Sequence, residues 1–65
     1  MTTAKERVKL ERKELKERLR KLKTFVLSEQ FSKLSHVQQM LLMSQIDIMT
    51  SYVNCLSRRL KFWED

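Results

Sequence analysis

The sequence predicts an all-α protein, an antiparallel two-helix hairpin that assembles into a symmetric oligomer. Three observations lead there. The 65 residues contain no Gly and no Pro, so nothing obvious breaks a helix and tight turns with positive φ are not expected. Apolar residues recur at spacings of three and four, the period of an α-helix face. One stretch, Ser35 to Trp63, carries two such rows. The first is Leu42, Ile46, Met49, Val53, Leu56, Leu60 and Trp63; the second is Leu41, Ile48, Tyr52, Cys55 and Phe62. A single partner helix covers one row, which leaves the other for a second chain.

The first helix is expected over about residues 3–27. Thr2 or Thr3 is placed to cap it, and Glu6 stands three residues after Thr3 as in a capping box. Val8, Leu15, Leu19, Leu22 and Val26 form a narrow seam, with Leu10 and Phe25 to its sides. Arg12 or Glu11 fills the gap in that seam. Glu14–Arg18 and Glu17–Lys21 are favourable i, i+4 pairs, each contributing a few tenths of a kcal/mol. Residues 28–34 are polar and read as a connection or a short helical turn, with Phe31 and Leu34 folded back over the end of the helix pair. Ser35 is a second N-cap with Gln38 three residues on. The second helix then runs over about residues 36–63.

The totals allow one domain, residues 1–65, and a core too small to be stable without help. Cys55 is the only cysteine, so an intrachain disulfide is excluded, and on an apolar row it reads as a small buried hydrophobe. Oligomerisation is the remaining remedy, first as dimers. No apolar run approaches the ~20 residues that span a bilayer, and the first residues lack the apolar core of a signal peptide. A soluble intracellular protein with no membrane partner is the expectation.

Charge is divided unevenly. Residues 1–27 hold ten Lys/Arg and four Glu, whereas residues 28–65 hold four of each sign. The whole excess of +6 therefore lies in the first half, a bias that favours anionic partners. Antiparallel packing brings Lys5, Arg7, Lys9 and Arg12 near Arg58, Arg59 and Lys61, against Glu6, Glu11, Glu64 and Asp65. Tyr52, Phe62 and Trp63 lie at or near the same end. Cations with aromatic faces suit a ligand that carries phosphate and a flat base. The plainer alternative is a solvated basic face. No Ser/His/Asp set, Gly-rich phosphate loop or Cys/His cluster is present, so neither an enzyme nor a metal or other cofactor is expected. A nucleic-acid binder is disfavoured by the four Glu and the lack of a base-reading motif. A membrane-surface helix is disfavoured because its thin apolar seam is needed by the second helix.

The order Arg7-Val8, Glu11, Glu14-Leu15, Leu19, Lys21-Leu22, Phe25, then Phe31, Leu34, Gln38, Leu41-Leu42, Gln45, Met49, Tyr52, Leu56 and Arg59 resembles the helical-hairpin domain of phage immune-evasion sponges. These are anti-CBASS and anti-Thoeris proteins that sequester nucleotide second messengers. The resemblance spans about residues 5–60. It implies an oligomer, typically a hexamer built from dimers, acting in the cytoplasm of the infected bacterium. Such an oligomer holds cyclic di- or trinucleotides, or cyclic ADP-ribose-type signals, between protomers without cleaving them. It also implies a phosphate-contacting Lys in the first helix, matched by Lys9, with Arg7 and Arg12 as neighbours. Some members stack the base on a Tyr upstream of that Lys. Here no aromatic precedes Phe25, so stacking falls to Tyr52, Phe62 or Trp63. Relatives that read cyclic ADP-ribose isomers carry more chain after the hairpin, which favours cyclic oligonucleotides here. The expected ligand set is Arg7, Lys9, Arg12, Tyr52, Arg58, Arg59 and Trp63. A nucleic-acid accessory protein and a coiled-coil adaptor without ligand are the alternatives.

Overall fold

The computed structural model describes residues 3–64, and these form three helices and no strand: α1 (Ala4–Val26), α2 (Glu29–Ser32) and α3 (His36–Lys61). Thr2 and Asp65, invoked above as a cap and as an acid, lie outside the described residues. The two long helices pack side by side, with Glu11 meeting Tyr52 and Arg12 meeting Ser57. Early α1 therefore lies beside late α3. The molecule is elongated, 48 × 19 × 14 Å.

Capping follows the residue types. The backbone of Thr3 is extended, and its hydroxyl accepts the Glu6 N–H at 3.1 Å. Ser35 does the same for Gln38 at 3.2 Å. Each cap satisfies a donor that the first turn of a helix leaves unpaired. The chain turns between the long helices with no positive φ among the described residues. Instead α1 ends on Leu27 in the right-handed region, and the Ser28 hydroxyl donates to the Phe25 carbonyl at 2.6 Å. Phe31 then meets Phe25 edge to face, with centroids 6.4 Å apart. The amide nitrogen of Gln39 reaches back to the carbonyls of Phe31 and Leu34 at 3.2 and 3.1 Å. One α3 side chain thus ties down the whole connection.

Between the helices lies a seam at three- and four-residue spacing. On α1 it consists of Val8, Arg12, Leu15, Leu19, Leu22 and Val26, each buried or half-buried. Arg12 fills the gap. On α3 it is the first apolar row, with Leu56 fully buried and Ile46 and Val53 nearly so. Leu19, Ile46 and Val53 form a cluster against which Leu15, Leu22, Val26 and Met49 pack. Every residue of the second row, by contrast, is exposed.

Two expectations are corrected. Cys55 is exposed, because the row it belongs to faces away from α1. Glu17 pairs with Arg20 and not with Lys21: the planar guanidinium reaches both carboxylate oxygens, at 2.6 and 3.2 Å, a two-point contact that an ammonium does not make. Arg20 thereby holds the Glu17 carboxyl below its ordinary value. On an exposed surface this pair adds little to stability, because water screens it.

The seam makes a direct prediction. Leu56→Ala is expected to cost about 2–5 kcal/mol, a large share of the roughly 3–10 kcal/mol available to a chain of this size. Circular dichroism at 222 nm should show a melting midpoint lower by at least about 10 °C; an unchanged midpoint would mean that the seam is not the core. Gln39→Ala should cost about 1 kcal/mol, read by urea unfolding.

Candidate functional site

The C-terminal half of α3 presents the residues from which a binding site can be built. Ser51, Asn54, Cys55, Arg58 and Arg59 follow one another at helical spacing and line a groove of about 500 Å³. All five come from one helix, so the groove is shallow and open to solvent. Its two guanidiniums present planar donor forks that match phosphate oxygens. Its hydroxyl and amide add neutral donors and acceptors.

Tyr52 adjoins this groove. Its hydroxyl donates a hydrogen bond across the helix pair to the Glu11 carboxylate. That bond is the main reason why the phenol titrates above its ordinary value of 10.0. Desolvation and the negative charge of Glu11 act in the same direction, while the positive charge of Arg59 opposes them. Tyr52 and Arg59 are therefore electrostatic neighbours. The tyrosine remains 44% exposed, so it is anchored at its tip with ring surface left uncovered.

The other expected residues are placed differently. Arg12 is half-buried in the seam, and its Nε donates to the Ser57 hydroxyl at 2.7 Å. Arg7 and Lys9 are exposed on the first turns of α1, and neither lines the Arg58–Arg59 groove. Trp63 is half-buried just beyond α3 and continues the packed row. Lys61 lies 5.5 Å from the ring centroid of Phe62, a cation–π contact at the end of the helix. The structure thus brings Tyr52, Arg58 and Arg59 together on α3, ties Arg12 into the seam, and leaves Arg7 and Lys9 apart from the groove.

Three features were not picked out from sequence. Glu11 anchors Tyr52; a one-turn helical wheel cannot reveal it, because the contact is between helices. Ser51 and Asn54 line the groove, and their spacing to Arg58 and Arg59 was the available signal. A second groove, of about 410 Å³, runs along α1 between Arg12, Lys13, Lys16, Glu17 and Arg20. Among the described residues, no group of three or more His, Cys, Asp or Glu is arranged to hold a metal ion. No helix among them is long and apolar enough to cross a membrane.

A family model described as Sequestin matches residues 2–62. No curated protein and no solved structure matches the chain.

The Glu11–Tyr52 bond can be read in solution because the protein has one tyrosine. The raised phenol value means that the folded state favours the protonated form. Its contribution to stability is therefore present below about pH 10 and is lost as pH rises through the folded-state midpoint. Spectrophotometric titration should place the midpoint above the ordinary value, and Glu11→Gln should bring it down. A midpoint that does not respond to Glu11→Gln would rule the bond out.

Proposed function

Because the chain belongs to the Sequestin family, and so fits the sponge resemblance carried by its sequence, we propose that it sequesters cyclic di- or trinucleotide second messengers of bacterial anti-phage defence. The family description points to sequestration, a binding activity. The observation that carries the finer reading is the α3 groove, in which Arg58 and Arg59 stand beside the partly exposed ring of Tyr52. In this mechanism the guanidiniums neutralise phosphates, and the Tyr52 ring covers a base by stacking. Ser51 and Asn54 meet polar edges of the ligand. The ligand is held intact and stoichiometrically, so host effectors are starved of activator in the cytoplasm of the infected cell. The helix pair acts as a hairpin protomer of one domain, and the exposed second row joins protomers into a dimer-based oligomer, a hexamer by resemblance. Lys9 and Arg7 reach the ligand from a neighbouring protomer.

Isothermal titration of the purified protein with a panel of cyclic di- and trinucleotides tests this reading. Saturable binding by at least one member at micromolar protein is expected, with intact ligand recovered after heating the complex. Arg59→Ala should weaken it about tenfold or more, the equivalent of a charge-assisted hydrogen bond. Combining it with Lys9→Ala should abolish binding and leave the light-scattering mass unchanged. No binding to any member, or recovery of a cleaved ligand, would refute the proposal. A gel shift with plain DNA in place of cyclic-nucleotide binding would favour a nucleic-acid accessory protein.

A further inference from the structure

One flank of α1 is a stripe of cations. Lys9, Lys13, Lys16, Arg20 and Lys23 step 4, 3, 4, 3. At about 100° per residue they stay within about 80° of the helix circumference. All five are exposed. We propose that this stripe is a second anion-binding surface, and that it holds the phosphate backbone of duplex nucleic acid without reading its sequence.

Contacts across the seam fix where the stripe lies. Glu11 and Arg12 are adjacent in the chain and meet Tyr52 and Ser57 respectively, so they mark the two margins of the seam. The stripe follows the Arg12 margin. Arg12, Lys13, Lys16, Glu17 and Arg20 line the groove of about 410 Å³. Lys16, Arg20 and Lys23 carry it on, with Leu19 and with Val53 of α3, into a smaller one of about 220 Å³. Tyr52 lies on the other margin, where Arg59 is its electrostatic neighbour. The stripe is therefore separate from the α3 groove.

The four Glu of α1 weigh against nucleic acid when charge is counted along the chain, yet they leave the stripe clear. Helical spacing puts Glu11 and Glu14 on the opposite flank, among Arg7, Arg18 and Lys21, and puts Glu6 and Glu17 at the stripe's outer edge. Glu17 is held by Arg20 at 2.6 Å, which leaves the four lysines as the net charge. The single acid of α3, Asp47, lines neither groove.

Length and residue type then identify the ligand. Lys9 to Lys23 covers about 21 Å of helix axis, the length of about six base pairs. A compact anion with two or three phosphates meets only part of such a row, whereas a regular chain of phosphates meets all of it. Four of the five are lysines, point charges without the planar fork that reads bases. No aromatic precedes Phe25, so the stripe lacks the stacking on which single-strand binders rely. No apolar side chain interrupts it to insert into a lipid surface. Contact with phosphates along a duplex is what this chemistry supports, and such contact carries no sequence information. The inference does not rest on the cyclic-nucleotide reading.

Fluorescence anisotropy of the full chain with two short labelled DNA duplexes of unrelated sequence tests it. Both should bind equally, and the log–log dependence of affinity on salt should have a slope of about −3.6, the value for four phosphate contacts. The triple change Lys13→Gln, Lys16→Gln and Lys23→Gln should lower that slope by about 2.7 in magnitude and weaken binding about tenfold or more at low salt. Lys9 stays in place, because the reading above gives it a role beside the α3 groove. Gln is as good a helix former as Lys, so the circular dichroism of the variant should not change. Arg18→Gln, Lys21→Gln and Lys33→Gln together remove the same charge away from the stripe and should weaken binding less than about threefold. Equal losses in the two variants would overturn the stripe, since net charge alone would then govern binding. Tighter binding to single strands or to phosphatidylserine vesicles than to duplex, or unequal binding of the two duplexes, would overturn the ligand.

Discussion

The seam between α1 and α3 is the constraint on which everything else depends. Neither helix is apolar all round. α1 has one narrow apolar seam, with Leu10 and Phe25 exposed at its sides, so it can cover one stripe of α3. Leu56, the only fully buried large side chain among the described residues, shows where that coverage is most complete. The seam thereby fixes which half of α3 is used internally and which half is turned outward, and the groove, the anchored tyrosine and the uncovered row follow from this division.

Polar contacts at the margins of the seam set its register. A ladder of Leu, Ile and Val tolerates sliding by a heptad, because one apolar side chain replaces another at little cost. Arg12 with Ser57 does not tolerate it, since a slipped pairing leaves partly desolvated polar groups without partners, and the exposed Glu11–Tyr52 bond is lost with it. Gln39 has the same role at the opposite end, where its amide holds the carbonyls of the connection. The candidate binding surface is therefore positioned by the same contacts that align the helices.

Much of this was legible in the residues. The two rows of α3, the caps at Thr2 or Thr3 and at Ser35, and a gap in the α1 seam filled by Arg12 or Glu11 follow from helical spacing and residue type; packing selects Thr3 and Arg12. Periodicity, however, does not distinguish a row that packs within the protomer from a row left exposed. For that reason Cys55 was read as buried and is exposed. Nor does a charge count locate a site. Arg7, Lys9 and Arg12 were grouped with Arg58 and Arg59 by the end of the molecule they occupy, yet helical faces place Arg12 in the seam and leave Arg7 and Lys9 away from the groove. The side chain that anchors Tyr52 comes from the other helix, and only three-dimensional packing pairs them.

The partition of charge between the helices has a dynamic consequence. Residues 1–27 hold the whole excess of +6, whereas the outward face of α3 holds almost none before Arg58. In the proposed function, encounter with a diffusing anion is governed by the long-range field of the first segment, and salt shortens the reach of that field to about 8 Å at physiological ionic strength. In the proposed oligomer, contact through the exposed row of α3 is governed by apolar hydration, which salt of this kind hardly alters and which weakens on cooling. The proposed capture and the proposed self-association are thus set by two independent variables, ionic strength for the one and temperature for the other, in a protein with two long helices among its described residues.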